Sequence, residues 1–165
     1  MNEIRLRKLK KKDAPFMLEW MHDPSIACFF RFDAQNITLS DCKKYIDSAN
    51  DDKHSLHLAI VDRNDEYLGT ISLKNIDREK KEAEYAISTR KKAHGTGVAL
   101  WATKEILRIA FDELKLNRVY LYVLKENYRA NAFYQKAGFL FHYCEKNVVV
   151  HGEIKDLIWY FVNKG

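Results

Sequence analysis

A basic, glycine-containing loop most constrains this chain, because it joins a predicted strand directly to a long predicted helix. The loop reads Arg90-Lys91-Lys92-Ala93-His94-Gly95-Thr96-Gly97, and helical periodicity begins at Val98. Glycines let the backbone turn tightly and approach a ligand without an intervening Cβ. The free N–H groups and the positive dipole end of the following helix form an anion site. Cations before the first glycine, with no acid inside the loop, point to a phosphate group.

The surrounding pattern predicts alternating strands and helices. Strands are predicted at Glu82–Ser88 and Arg118–Lys125, and helices at Val98–Leu114 and Asn127–Ala137. Two common phosphate loops are excluded. No Gly-Lys-Ser/Thr follows a four-residue gap, and the third glycine and strand-ending acid of the dinucleotide fingerprint are missing. Taken alone, the loop is also compatible with glycines that serve only to turn the chain.

A second motif downstream makes the interpretation more specific. Asn127-x-x-Ala130-x-x-Phe133-Tyr134-x-Lys136-x-Gly138-Phe139 resembles the acetyl-CoA-side helix and following turn of the GCN5-related N-acetyltransferase (GNAT) family. The loop, as Lys92-x-x-Gly95-x-Gly97, is similar to the family's pyrophosphate loop, with lysine in place of the usual Gln or Arg. Two motifs in the right order are more specific than either alone.

The resemblance implies that acetyl-CoA is the co-substrate and that no metal is used. In the family, the strand at Glu82–Ser88 splays away from the strand at Arg118–Lys125, so its free backbone groups bind the pantetheine amides like an added strand. The implied cofactor-binding residues are Ala86, Ile87, Ser88, Lys92, Ala93, His94, Gly95, Thr96, Gly97, Val98, Asn127, Asn131 and Tyr134. A solvated loop histidine is the alternative for His94.

Acetyl transfer to an amine needs a base for the ammonium and an acid for the leaving thiolate. Tyr134 is the candidate acid, because the family places this phenol near the thioester sulfur and a phenol is a fitting donor to a thiolate. Glu84 is the candidate base, directly or through water, and partial burial would raise its pKa. The alternatives are a packed aromatic at Tyr134 and a surface or salt-bridged glutamate at Glu84.

Composition excludes several other classes of protein. The 165 residues are 47% hydrophobic and 31% charged, which is typical of one folded domain spanning 1–165. No run of eighteen apolar residues occurs, and the N-terminus lacks a signal-peptide core, so no membrane is expected. Cys28, Cys42 and Cys144 and the histidines lack ligand spacing, which argues against zinc and for reduced thiols in a cytoplasm.

The net charge of +5 is concentrated partly in residues 5–12, where six of eight residues are Lys or Arg. Nucleic-acid binding is one interpretation of such a run. A solvated strand edge, with Ile4, Leu6 and Leu9 facing inward, is the favoured one, because no aromatic residues interleave with the cations. No nucleic acid is therefore expected as a partner.

The chain order predicts a mixed α/β fold: one central, mostly antiparallel twisted sheet with helices on both faces, as in the GNAT family. A strand at Glu3–Lys10 is followed by a helix capped by Asp13 and ending near His22. A second helix, capped by Thr38 or Ser40, runs to Asn50. The remaining elements are a hairpin at 55–62 and 67–75, with Gly69 marking a bulge, and a C-terminal strand pair at 139–149 and 154–162.

The acceptor is expected to be a primary amine. Trp20-Met21-His22-Asp23-Pro24 resembles a stretch of the branch that contains ribosomal-protein and amino-sugar acetyltransferases, with Met21 in place of the usual Arg. The aromatic segment Ser25–Phe32 is either a wall of the acceptor pocket or ordinary core. A small molecule such as a nucleotide-linked amino sugar is favoured over a protein N-terminus or a polyamine. A catalytically silent acyl-CoA-binding module is the non-enzyme alternative, and the chain is expected to be a monomer or a homodimer.

Overall fold

The computed structural model describes residues 3–30 and 32–165, and the strands of these residues form one sheet in the order β1-β2-β3-β4-β5-β7-β6. The strands are β1 Arg5–Lys8, β2 Leu56–Val61, β3 Tyr67–Asp77, β4 Glu82–Thr89, β5 Arg118–Leu124, β6 Leu140–Val150 and β7 Glu153–Asn163. The helices are α1 Ala14–Met21, α2 Pro24–Ala27, α3 Leu39–Asp51, α4 Val98–Arg108 and α5 Tyr128–Lys136. Met1, Asn2 and Arg31, which belong to the predicted domain or to the predicted aromatic segment, lie outside the described residues.

The sheet is mostly antiparallel, as predicted. Only β4 and β5 pair in parallel, and the other neighbouring strands of the described sheet run antiparallel. Parallel strands need a crossover connection, and α4 supplies it between β4 and β5. The last strand, β7, lies between β5 and β6, so β6 forms the outer edge of the sheet.

Helices cover both faces of the sheet because strand residues alternate between two cores. Ile60 and Leu73 belong to the core beneath α4 and α5, together with Ile106 of α4. Ala59, Val61 and Tyr67 belong to the opposite core, together with residues of α1 and α3. The period of two along a strand sends successive side chains to opposite faces, so a doubly covered sheet buries both sets.

Several local predictions were correct and two need correction. Thr38 caps α3 by accepting a hydrogen bond from the Asp41 N–H, as predicted. The predicted helix 98–114 is correct in position, but its last part, Ile109–Glu113, is a π-helical turn. Asp13 does not cap α1 with its side chain, since its carboxylate instead accepts hydrogen bonds from the Arg7 guanidinium and the Lys10 N–H.

Gly69 lies where the β2–β3 register shifts, as predicted for a bulge, and the structure adds a second reason for glycine there. A Cβ at Gly69 would stand 2.6 Å from the Ser88 carbonyl oxygen and 2.9 Å from the Thr89 side chain. Real Cβ atoms do not approach backbone oxygen so closely. Glycine therefore allows β3 to approach the end of β4, the strand that carries the predicted cofactor edge.

The N-terminal cations are held by one carboxylate in the β2–β3 turn. Arg5, Arg7, Lys10 and Lys12 all place a side-chain nitrogen within ion-pair distance of Asp65. Leu9 points inward, and only 2% of it is exposed. The structure thus gives this basic run a role in joining the sheet edge to a turn. No helix among the described residues is long and apolar enough to cross a membrane.

Candidate active site

The centre of the candidate site is a gap between β4 and β5. Their parallel pairing spans only Glu82↔Arg118 to Glu84↔Tyr120, although both strands continue beyond these residues. On its other side, β4 stays paired with β3 through Ser72↔Ala86 and neighbouring pairs. Ala86, Ile87 and Ser88 therefore have one bonded edge and one edge that faces the gap. A strand edge of this kind can pair with an extended ligand that carries amide groups.

The glycine loop lies at the open end of this gap and leads into α4. Gly95 and Gly97 have φ of +75° and +84°, in the left-handed region that favours glycine. The Trp101 N–H makes the first helical hydrogen bond, to the Gly97 carbonyl. The N–H groups of Val98, Ala99 and Leu100 consequently have no partner within the helix, and that of Val98 makes only a long hydrogen bond, of 3.4 Å, to the Thr96 hydroxyl. These donors and the helix dipole favour an anion at this end.

Two of the loop cations predicted to face a phosphate are paired with acids from other elements. Arg90 is buried, with its guanidinium on the carboxylates of Glu19 and Glu66 and 4.4 Å from the centroid of the Phe16 ring. Lys92 Nζ lies 2.6 Å from a Glu66 oxygen. The loop contains no acid, but the fold brings Glu66 and Glu19 to it. Arg90 thus anchors the loop, and Lys92 is paired with the residue that immediately precedes β3.

A different cation stands beside the loop, and sequence reasoning missed it. Arg129, on the first turn of α5, places a guanidinium nitrogen 2.8 Å from His94 Nδ1. Desolvation by burial and the neighbouring Arg129 charge lower the pKa of His94. Arg129 lies inside the Asn127–Phe139 motif, but only the packing of α5 against the loop shows that it belongs to the anion end.

Tyr134 lies on α5 beneath the gap, on the face of the sheet covered by α4 and α5. Its ring contacts Tyr85, Phe139 and Tyr160, with centroids 5.9, 6.0 and 6.3 Å away. The side chain is buried, and this burial raises the pKa of Tyr134. Its hydroxyl makes no hydrogen bond to another described residue, whereas the Tyr85 hydroxyl is bonded to Thr103. A neutral phenol with an uncommitted O–H group is a proton donor at physiological pH.

The two asparagines predicted at the cofactor site hold α5 against β5. Asn127 caps the helix by accepting a hydrogen bond from the Ala130 N–H. The Asn131 amide donates to the Leu124 and Asn127 carbonyls, and its oxygen accepts from the Tyr160 hydroxyl at 2.7 Å. The Asn131 side chain is thus engaged within the protein, which gives it a positioning role for the helix that carries Tyr134.

Glu84 lies at the apex of the gap, on the opposite face from Tyr134. It is the last β4 residue paired with β5, and alternation along β4 turns it away from Tyr85. Its carboxylate lies 3.3 Å from Lys74 Nζ, and its Oε1 accepts a hydrogen bond from the Asn75 amide. The Glu84 carboxylate is therefore salt-bridged in the structure. A catalytic role must operate from within this ion pair.

An aromatic surface continues from Glu84 across β5, β7 and β6. Tyr122, Trp159 and Tyr143 are consecutive cross-strand neighbours, and the Tyr143 and Trp159 rings are stacked with centroids 5.7 Å apart. Trp159 Nε1 donates to Glu145. Residues that pair across strands point to the same face, so this surface shares the face of Glu84 and Tyr120.

The segment Ser25–Phe32, predicted to be either a wall of the acceptor pocket or ordinary core, has residues in both kinds of environment. Phe29 packs against the small cluster formed by Leu124, Val150 and Leu157, which the aromatic surface borders. Phe30 packs edge-on against Trp20 and stacks on Phe32. Phe29 therefore faces the aromatic surface, while Phe30 joins the α1 core.

Other features of the described residues lie apart from this gap. No group of three or more His, Cys, Asp or Glu side chains in residues 3–30 and 32–165 is placed to hold a metal ion. Two open clefts, of about 570 and 910 Å³, are lined by residues around Lys80 and around His54. Both lie toward the β3–β4 turn, away from the glycine loop, and they contain none of the predicted site residues.

Comparisons with known proteins agree with this geometry. A family profile described as "Acetyltransferase (GNAT) domain" matches residues 3–140. "Putative ribosomal N-acetyltransferase YdaF" of Bacillus subtilis is 32% identical over 97 residues, which span 58% of this chain and 53% of that protein. "Acetyltransferase PseH" of Campylobacter jejuni is 24% identical over 80% of each chain. The chain thus spans about half of the first relative and most of the second.

Spermidine acetyltransferases are similar in sequence and in fold. "Spermidine N(1)-acetyltransferase" of Escherichia coli is 26% identical over 84% of this chain and 73% of that protein. A crystal structure of the Vibrio cholerae spermidine N-acetyltransferase with CoA and spermine has a TM-score of 0.87 at 20% identity, covering 97% of this chain and 95% of that one. At this identity the likeness shows the fold. The profile match over most of the chain shows the family: this protein belongs to the GNAT acetyltransferases.

Proposed function

We propose that this protein transfers the acetyl group of acetyl-CoA directly to a primary amine of a small molecule. The observation that carries the proposal is the unpaired edge of β4 at Ala86–Ser88, which lies between an anion site and the Tyr134 phenol. Acetyl-CoA supplies an activated thioester at one end and phosphates at the other, with two amides between them. The three parts of the site match these groups in kind and in order.

The cofactor contacts follow from the chemistry of each part. The N–H groups at the start of α4 and the cations of Arg129 and Lys91 attract the phosphates. The free edge of Ala86, Ile87 and Ser88 pairs with the pantetheine amides. Lys92 contributes less, because its charge is already balanced by Glu66. His94 adds a hydrogen-bonding group beside Arg129.

The catalytic groups stand on opposite faces of the sheet. Glu84 holds the acceptor ammonium by charge and takes its proton directly or through a water molecule. Tyr134 gives a proton to the departing thiolate, for which a neutral phenol is suited. The placement separates the acid from the base, so each proton transfer occurs on its own side of the gap.

The acceptor surface favours a small amine with a ring. Tyr122, Trp159 and Tyr143 present aromatic faces beside the gap, and Phe29 packs against the apolar cluster that borders them. Sugar rings and nucleobases both pack on such surfaces, so an amino sugar, free or nucleotide-linked, is the first candidate. A protein N-terminus is the less favoured acceptor, to be tested with short peptides.

A polyamine is the second candidate, and specific observations favour it. Glu84 and Glu145 bring two carboxylates to the aromatic surface, and aromatic faces bind alkylammonium groups through cation–π contacts. Relatives named as spermidine acetyltransferases cover most of this chain. A polyamine would use both carboxylates at once, whereas an amino sugar needs one.

Three further features of the proposal concern the chain as a whole. We propose one acetyltransferase domain over residues 1–165, because all described strands share one sheet. Free thiols at Cys28, Cys42 and Cys144 support a cytoplasmic location. We propose a monomer or a homodimer, while one structural neighbour, the Vibrio cholerae spermidine acetyltransferase, is described as dodecameric. Size-exclusion chromatography with light scattering measures this directly.

The deciding experiment measures thiol release from acetyl-CoA across a panel of amines. The panel contains amino sugars, their nucleotide conjugates, spermidine and spermine, amino acids and short peptides. Wild type and Tyr134→Phe are assayed together. Turnover with one class names the acceptor, and a severe loss in Tyr134→Phe supports the catalytic assignment. Binding of acetyl-CoA with no turnover across the panel would favour a silent acyl-CoA-binding module.

A further inference from the structure

A histidine with two hydroxyl partners lies on the Glu84 face of the sheet, and the proposed function does not use it. Ser72 Oγ is 2.7 Å from His57 Nδ1, and the Tyr45 hydroxyl is 3.1 Å from the same nitrogen. The Tyr45 and His57 rings meet at 65°, with centroids 5.6 Å apart. The three side chains come from α3, β2 and β3, so only the folded sheet brings them together.

The cluster is aligned with the gap between β4 and β5. His57 pairs with Ser72 across β2 and β3, and Ser72 pairs with Ala86 across β3 and β4. Paired residues share a face, so His57, Ser72 and Ala86 form one row across β2, β3 and β4, in which Ser72 lies one strand nearer than His57 to the gap beyond β4. Glu84, two residues before Ala86, is bound to Lys74 and Asn75. The hydroxyl of Ser72 therefore lies closer to the acetyl position than the imidazole does.

The charges around His57 favour a neutral imidazole. Burial lowers the pKa of His57 and is the largest influence, Lys74 lowers it further, and Asp52 acts in the opposite direction. Burial raises the pKa of Tyr45 to about 12, so that hydroxyl keeps its proton near neutral pH. When the imidazole carries its proton on Nε2, its Nδ1 lone pair accepts from Ser72 at 2.7 Å, with Tyr45 at 3.1 Å as the second partner. An imidazole whose Nδ1 accepts hydrogen bonds is a base ready to take a proton.

We propose that, in place of the proton transfer to Glu84, His57 receives the proton of the acceptor ammonium through the hydroxyl of Ser72, while Glu84 only holds the ammonium by charge. The Ser72 hydroxyl takes one proton from the ammonium and passes its own to His57 Nδ1. The free amine then forms the N–C bond as the C–S bond breaks. The nitrogen loses two protons in all: one reaches solvent from His57, and the other balances the proton that Tyr134 gives to the sulfur. This inference rests on the proposed function.

A structural role for the same cluster makes different predictions. If His57 and Ser72 only join α3 to the sheet, their replacement lowers stability and leaves the pH dependence of turnover unchanged. If they carry the proton, wild-type kcat falls as the pH decreases through the pKa of His57, because an imidazolium accepts no proton. The pH profile therefore separates the two roles.

The test compares His57→Gln, Ser72→Ala and Ser72→Thr with wild type, using the amine found to be turned over. We expect kcat near pH 7 to fall about 100-fold in His57→Gln and Ser72→Ala, the size of a lost general base. In His57→Gln, kcat no longer falls on the acidic side of the pH profile. The difference in kcat between this variant and wild type becomes smaller toward pH 10, where amines of this type are already deprotonated in solution. Ser72→Thr keeps the hydroxyl and retains most of the activity. Binding of acetyl-CoA stays within twofold in all three.

The outcome that overturns the proposal is a His57→Gln enzyme with the wild-type pH profile. A second measurement uses wild type alone, in case a variant does not fold: the pKa of His57 from an NMR titration must match the acidic limb of kcat, and a mismatch rejects the relay. Failure of the proposed function itself looks different, since wild type would then release no thiol with any amine. If kcat of a Glu84→Gln variant still falls at low pH, the fall is due to His57, which supports the relay. If the fall disappears in this variant, it is due to Glu84, and the relay is rejected.

Discussion

Tyr134 meets Tyr85 edge to face beneath the β4–β5 gap, with ring centroids 5.9 Å apart and ring planes at 89°. This contact fixes the phenol by its ring, while the hydroxyl makes no hydrogen bond to a described residue. We expect Tyr134→Phe to lower kcat about 100-fold, the size of a lost general acid, and to leave the melting temperature nearly unchanged. Thiol release and thermal unfolding monitored by circular dichroism measure the two effects.

Tyr160→Phe is the matched control for that variant. The Tyr160 hydroxyl donates to Asn131 and accepts from Gln135, so its removal leaves the Asn131 oxygen without this donor. We expect a loss of about 1 kcal/mol in the free energy of unfolding, with kcat reduced far less than in Tyr134→Phe. Equal losses of kcat in the two variants would contradict a specific role for the Tyr134 phenol.

The strands and the glycine loop were predictable because they depend on local patterns, and two linear motifs indicated the family. Alternation located β4, and the resemblance to the family supplied the splay that the β4–β5 register confirms. The partners of the charged side chains were not predictable. Lys92 and Glu66 are 26 positions apart, and Arg129 and His94 are 35 apart, so only the tertiary fold brings each pair together. Neither pairing leaves a signal in the spacing of residues.

The same limit explains Glu84 and Asp13. The sequence left a catalytic base and a salt-bridged glutamate both open at Glu84, and only the β3–β4 register shows that Lys74 lies directly opposite it. Asp13 stands where a helix cap is expected, yet the nearby Arg7 binds both of its oxygens. For Asp13 the contact with Arg7 replaces the cap that local sequence favoured, whereas for Glu84 the ion pair with Lys74 is added to a catalytic role that stays a prediction.

Arg129 and Lys92 are predicted to differ in their contribution to cofactor binding. Arg129→Ala removes a cation beside the start of α4, and we expect the dissociation constant of coenzyme A to rise about tenfold, equivalent to about 1.4 kcal/mol. Lys92→Ala removes a charge that is already paired with Glu66, so we expect it to raise the dissociation constant of coenzyme A about twofold or less. Isothermal titration calorimetry at fixed salt measures both. A larger effect from Lys92→Ala would mean that its pair with Glu66 opens on binding.

Cofactor affinity is predicted to depend on pH through His94. The pKa of His94 is lowered by burial and by Arg129, so the free protein holds the imidazole neutral near pH 7. Bound phosphates would favour the charged form, and binding would then take up a proton. The affinity for coenzyme A should therefore strengthen as the pH falls from 7.5 to 5.5, and His94→Gln should remove this trend. Calorimetry in buffers of different ionisation enthalpy detects the proton uptake.

Alanine substitutions at two glycines are predicted to destabilise the protein for different reasons. Gly69→Ala places a Cβ 2.6 Å from the Ser88 carbonyl oxygen, so β3 and the end of β4 must move apart. We expect a loss of about 1–3 kcal/mol in the free energy of unfolding, as for overpacking, together with weaker binding of acetyl-CoA. Gly95→Ala has open space around its Cβ and costs only the strain of a positive φ, about 1 kcal/mol. Chemical denaturation of both variants measures the difference.

Asp65 is predicted to make stability depend on pH at the acidic end. Lys12 and Arg7 hydrogen bonds hold the pKa of Asp65 well below its usual value, so the carboxylate is charged in the folded protein when it is already protonated in the unfolded chain. A lowered pKa contributes stability that is complete above the unfolded value near 4 and is lost as the pH falls through the folded value. Below pH 4, the melting temperature of wild type should therefore fall more steeply than that of Asp65→Asn.

Added salt should reduce the difference in melting temperature between the two proteins at pH 7, because exposed cations such as Lys12 are screened. If the two proteins melt in parallel from pH 7 to pH 3, the Asp65 pairs do not stabilise the fold, and the N-terminal cations must instead be tested as a surface for anionic partners.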